Sequence, residues 1–124
     1  ALGRSSGADS LISSALVGYT GEWLPDRSAI VTAGLGLSRD SKSDIAIIRN
    51  GGRGPVEPLV ATPFEESFPA VSPDGRWLAY TSDQTGASEV YIRPLGRDGD
   101  EIRVSASGGN EPVWGPSGRE LFYR

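Results

Sequence analysis

Apolar residues in this chain come in short bursts separated by polar punctuation. "SDIAIIRN" (43–50), "RWLAYTS" (76–82), "EVYIRPL" (89–95) and "ELFYR" (120–124) are such bursts, each bounded by Gly, Pro, Asp or Ser. Runs of this length, rich in β-branched and aromatic residues, predict strands. No segment keeps a 3.6-residue apolar period for three turns. "SLISSALVGY" (10–19) is the best helix candidate, and its serines and glycine weaken it. The chain is therefore expected to be all-β. Several bursts are apolar on both faces. Trp77 and Ala79 alternate with Leu78 and Tyr80, and Ile45 and Ile47 alternate with Ala46 and Ile48. A sheet wetted on one face would alternate with polar residues. These strands need cover on both sides.

The pattern repeats. "YTGEWLPDRSAIVTA", "FPAVSPDGRWLAYTS" and "NEPVWGPSGRELFYR" align on Pro25, Pro73 and Pro116, which recur 48 and 43 residues apart. Trp23, Val71 and Trp114 fall at one repeat position. "SDIAIIRN" answers "SEVYIRPL", and "PLVATPFEES" (58–67) answers "EIRVSASGGN" (101–110). Each repeat thus predicts four strands, a to d. A Pro-Asp-Gly turn joins a to b, with Pro73 presetting φ and Gly75 closing the turn. A period near ~45 residues with four strands per unit is the mark of a β-propeller. The expected organisation is one partial propeller of about 2.5 blades over 1–124. Residues 11–20 would be the last strand of a preceding blade, 21–66 and 67–109 two blades, and 110–124 strands a and b of the next. That last unit lacks a c strand, which predicts a piece of a longer propeller with "ELFYR" exposed or paired to a partner.

Composition narrows the chemistry. The 124 residues include no Cys, no His and no Met. Disulfides, thiolate zinc sites, cysteine nucleophiles, Ser-His-Asp triads and His-ligated metals are thereby excluded within the chain. No catalytic residue, cofactor or metal is expected. Net charge is −4, with 12 basic and 16 acidic residues, which speaks against a nucleic-acid surface. No apolar run approaches the ~20 residues of a membrane-spanning helix. The missing initiator Met suggests a natural start upstream or removed by processing.

Candidate chemistry is sparse. "GRDGDEIR" places Asp98, Asp100 and Glu101 around a glycine, without calcium-loop spacing, and suits a solvated c–d turn. Glu65 and Glu66 are adjacent and are expected in a blade-to-blade loop with Phe64 and Phe68 packed nearby. Glycosidase carboxylates instead face each other across a cleft. "NGGRGP" (50–55) and "SGGN" (107–110) lack the Gly-Lys-Ser/Thr and helix of a phosphate loop and suit turns. Asp44 and Glu89 share the first slot of strand c, and Asp83 precedes the b–c turn. These three acids would either line a ligand-binding rim or serve as solubilising edge charges. The repeated structural motif comprises Trp23, Pro25, Asp26, Pro73, Asp74, Gly75, Trp77, Trp114, Pro116 and Gly118. The three tryptophans are expected as core or blade-interface aromatics.

"SPDGRWLAYTSDQTGASEVYIRPL" resembles the Pro-Asp, WD-like repeats of TolB-like propellers. The longer run from Phe68 to Arg124 resembles propellers attached to bacterial serine/threonine kinases and winged-helix regulators and, more distantly, those of prolyl-oligopeptidase-type enzymes. Arg27 stands where the motif has glycine, and Ser117 where it has Asp. The resemblance implies a non-catalytic scaffold for protein or ligand binding or sensing inside a larger bacterial protein, with an extracytoplasmic place favoured. The alternative is the accessory propeller of a hydrolase or lyase whose catalytic residues lie elsewhere. Implied partners are a protein, the remaining blades, or a second copy meeting open blade edges.

Overall fold

In the computed structural model, residues 21–35 and 43–124 are described. The strand expected at 11–20, the weak helix candidate and the first b–c turn lie outside them. The described residues form ten strands and no helix. The first sheet has the order β1(Gly21–Trp23), β2(Ile30–Leu35), β3(Ser43–Ile48), β4(Val56–Val60). The second has β5(Glu66–Val71), β6(Trp77–Ser82), β7(Glu89–Pro94), β8(Ile102–Arg103). The third pairs β9(Val113–Trp114) with β10(Leu121–Phe122). All neighbours are antiparallel. These are the a, b, c and d strands of propeller blades.

Strand d departs from expectation. The matching segments 58–67 and 101–110 are where the repeat predicts it, but β4 ends at Val60 and β8 is only two residues long. Residues 61–65 and 104–110 are loop, with Thr62 bonded to Glu66 of β5 and Ser105 to Glu89 of β7 instead of pairing along an edge, and Glu66 and Ser67 already belong to β5. Strands b and c behave as their composition requires. Leu78, Ala79 and Tyr80 of β6 and Ile45 to Ile48 of β3 are all buried. Val31, Ala33, Ile45 and Ile47 of the first sheet pack with Leu78, Tyr80 and Tyr91 of the second in one cluster. Each of the Val, Ile and Leu side chains contributes ~1.5–3 kcal/mol on burial. The Tyr80 and Tyr91 rings stack at 6.0 Å between centroids. In contrast, Val113 and Phe122 of the third sheet are 61% and 57% exposed, and β10 pairs only with β9.

The three Pro turns have one geometry. Arg27 N–H donates to Leu24 O, Gly75 to Ser72 O and Gly118 to Gly115 O, at 2.8–3.0 Å. The donor residue is left-handed each time, with φ of +63°, +75° and +75°. This is a type I turn followed by one left-handed residue, within a four-residue loop closed by the Leu24–Ala29, Ser72–Trp77 and Gly115–Glu120 hydrogen bonds. The residue after Pro caps the turn. Asp26 and Asp74 carboxylates accept from the N–H of Ser28 and Arg76, and the Ser117 hydroxyl accepts from Arg119 N–H. Ser117 therefore does the work of the Asp it replaces. The Ser28 and Ser72 hydrogen bonds hold the Asp26 and Asp74 carboxyls below their usual range.

The turns also stack from blade to blade. A Cβ on Gly75 would lie 3.2 Å from Pro25 Cδ, and one on Gly118 would lie 3.5 Å from Pro73 Cδ. Gly75→Val should therefore cost stability twice, through left-handed backbone and through contact with Pro25, by about 2 kcal/mol or more. Arg27→Gly relieves left-handed strain but gives up the guanidinium stacked 5.3 Å over Trp23, so its net effect should stay within about 1 kcal/mol. Thermal melts of the two variants test this order; equal or reversed losses contradict it.

Candidate functional site

The a strands β1, β5 and β9 lie side by side, so the three sheets converge on them. Their meeting edge carries an unusual backbone. Phe68 and Glu111 occupy the same repeat position, five residues before the turn proline, and both are left-handed, with φ of +52° and +49°. Such a conformation is costly for a bulky residue and is held only where surroundings enforce it. Here β5 slips register between Ser67 and Ala70, and Pro69 and Pro112 follow the two residues. Phe68 stays 37% exposed and, with Glu22, Glu111 and Val113, lines a concavity of about 260 Å³.

This edge is closed to added strands. Glu22 Oε1 accepts the Val71 N–H at 2.8 Å, and Trp114 Nε1 donates to Ala70 O at 2.9 Å. Pro69 and Pro112 have no N–H to offer. Capped edges of this kind resist strand addition, so recognition here falls to side chains. Glu111 is held by Arg124 at 2.7 Å.

A second, larger cleft of about 690 Å³ opens between the first and second blades. The loop after β4 (Thr62, Pro63, Phe64) forms one wall and Gln84, Asp100 and Glu101 the other. Glu101 accepts hydrogen bonds from the Tyr80 hydroxyl and Gln84 Nε2. Burial and the Glu101 carboxylate push the Tyr80 hydroxyl pKa strongly upward, so it stays a donor. Arg93 Nη1 reaches across to Leu59 O at 3.3 Å.

The acids foreseen at a rim are placed differently. Asp44 is 1% exposed and Glu89 5%, so neither is an edge charge. Glu89 Oε1 accepts from Ser105 Oγ at 2.5 Å and Gly108 N at 3.1 Å, tying strand c to the loop after strand d. Asp83 Oδ1 accepts the Glu65 N–H at 2.9 Å and joins the b–c turn to the start of strand a in its own blade. Glu65 and Glu66 also part company. Glu65 is exposed in the loop, whereas Glu66 begins β5 and is fully buried. Phe64 and Phe68 remain exposed rather than packed about them. Burial, together with neighbouring Asp44, raises the Glu66 pKa to about 7, against the hydrogen bonds from Thr62.

The tryptophans are half-buried, and none belongs to the central cluster. Trp114 bridges blades, while Trp23 and Trp77 carry Arg27 and Arg97 on their rings. Asp98, Asp100 and Glu101 are exposed on the c–d loop, and the described residues contain no group of three Asp or Glu placed to hold a metal. Sequence reasoning missed Phe68 and Glu111, whose only signal was the proline that follows each. Trp114→Phe keeps the aromatic bulk but leaves Ala70 O without its donor. Urea unfolding should show a loss of about 1 kcal/mol, with faster amide exchange in β5; unchanged exchange there contradicts the bridging role.

No family model matches the chain. It is 30% identical over 107 residues to the uncharacterized peptidase YuxL of Bacillus subtilis (strain 168), covering 82% of this chain and 16% of that protein. It is 28% identical over 123 residues to the uncharacterized protein Atu1656 of Agrobacterium fabrum, covering 98% of this chain and 41% of that protein. The chain thus spans well under half of each relative. The structure of a putative TolB from Agrobacterium tumefaciens superposes with a TM-score of 0.71 at 24% identity, over 87% of this chain and 38% of that one. Repeated four-stranded antiparallel sheets converging on their first strands, and this superposition, establish the fold as that of a TolB-type β-propeller, of which the chain supplies part of the ring.

Proposed function

We propose that the chain is part of a propeller that acts as a binding scaffold within a larger bacterial protein, and that the converging a strands present its ligand-facing surface. The observation that carries this reading is the pair of left-handed residues, Phe68 and Glu111, repeated at one slot and directed into the concavity at that edge. Backbone strain of this kind is retained where a side chain must be aimed. Because the edge is capped, the favoured ligand is an extended segment read by an aromatic and by carboxylates rather than by strand pairing.

Selection of displayed peptides against the chain tests this. Selected peptides should bind a Phe68→Ala/Glu111→Ala variant at least tenfold more weakly, and a Val56→Ala variant on the far edge equally well. Failure to select any peptide, or equal binding to the double variant, contradicts the reading.

A second reading rests on the peptidase-named relative. In it the same scaffold accompanies a hydrolase whose nucleophile lies outside residues 1–124, as an attached kinase or winged-helix domain would in another architecture. Under both readings the chain alone should leave peptide anilides and pectic sugars uncleaved. Turnover by the purified chain, lost on substitution of one of its own carboxylates, would place chemistry here and overturn both.

A further inference from the structure

The two four-stranded blades fill one polar slot in different ways. In the second blade, Glu89 occupies the first position of strand c and receives the Ser105 hydroxyl at 2.5 Å. A Cβ at Gly109 would lie 2.8 Å from Ser105 Cβ and Oγ, so nothing larger fits beside that pair. In the first blade the aligned positions are Asp44, Thr62 and Glu66. The Thr62 hydroxyl again donates to a carboxylate at 2.5 Å, but the carboxylate is Glu66, which comes from the next blade. Thr62 N–H adds a second bond at 3.2 Å, and Ser43 Oγ donates to Glu66 O at 2.8 Å. The shorter Asp44 leaves the space into which Glu66 reaches. One blade therefore buries one carboxyl group in the slot and the other buries two.

Two buried carboxyl groups in mutual contact cannot both ionise cheaply, so such a pair retains a proton that a lone carboxylate releases. The groups facing Glu66 are Asp44 from β3, Thr62 from the following loop, and Tyr80 from β6, which senses Glu66 together with Glu101 and Arg93. We propose that Asp44 and Glu66 form a proton-dependent fastening between the first blade and the first strand of the second, at the slot that the second blade fills with Glu89 and Gly109. The fastening also governs the large cleft. Thr62 lines that cleft and accepts the Phe64 N–H, so the wall carrying exposed Phe64 is tied to the state of Glu66.

The sign follows from linkage. A carboxyl group whose pKa is raised on folding binds more protons folded than unfolded, so its contribution to stability is full below about 4.5. It falls as pH rises towards about 7 and is then constant. Asp26 and Asp74, shifted the other way, act below that window. Urea unfolding of the whole chain at pH 4.5 and pH 8 should show the folding equilibrium constant falling on the order of 100-fold more in wild type than in Glu66→Gln. The double variant Asp44→Glu/Glu66→Gly, which installs the second-blade arrangement, should lose the same excess. An equal fall in Glu66→Gln overturns the proposal. If the variants do not fold, the Glu66 carboxyl carbon followed by NMR in wild type should titrate near 7, and a midpoint near 4.5 overturns it.

Discussion

The rest of the structure depends on contact between a turn in one blade and the proline of the blade before. Gly75 rests on Pro25 and Gly118 on Pro73. Proline fixes the ring that is touched, and the left-handed residue presents a backbone without a side chain to touch it. The spacing between successive blades at this end is set there. With that spacing fixed, β6 lies within reach of β2 and β3, and Leu78, Tyr80 and Tyr91 enter the space above Val31, Ala33, Ile45 and Ile47. The apolar strands then find the two-sided cover their composition demands. Arg27 stands at the same turn position and leans on Trp23 instead.

At the opposite side of each blade, polar bonds do comparable work. Asp83 holds the b–c turn to the segment entering strand a of its own blade, and Glu89 and Glu66 hold the loops after strand d. Both concavities are built against these fixed loops. The smaller one owes its shape to Phe68 and Glu111, and the larger one to Thr62 and its neighbours.

How much of this was legible in the sequence depended on whether a residue acts locally. The Pro turns, strands b and c, and the blade repeat could be read because spacing and apolarity are properties of consecutive residues. Strand d could not be bounded, since β4 and β8 end where Thr62 and Ser105 turn to buried carboxylates of other strands, Glu66 of β5 and Glu89 of β7. Asp44 and Glu89 looked like surface charges for the same reason. Acidic residues are seldom buried unless hydrogen-bonded, and the donors to Glu89, Ser105 and Gly108, lie 16 and 19 residues away. Phe68 and Glu111 were invisible because nothing in a phenylalanine or glutamate announces positive φ.

Glu22 and Trp114 cap the second blade's inner strand from either side, yet each belongs to a different repeat. The edge protection of a blade is thus written into its neighbours. A repeat copied or excised by itself would arrive with bare backbone groups, or leave a stranded donor behind. Growth of such a ring by duplication is therefore constrained to inherit at least a neighbour's tryptophan and glutamate along with the blade, which makes the junction between repeats, rather than the repeat, the smallest self-sufficient piece.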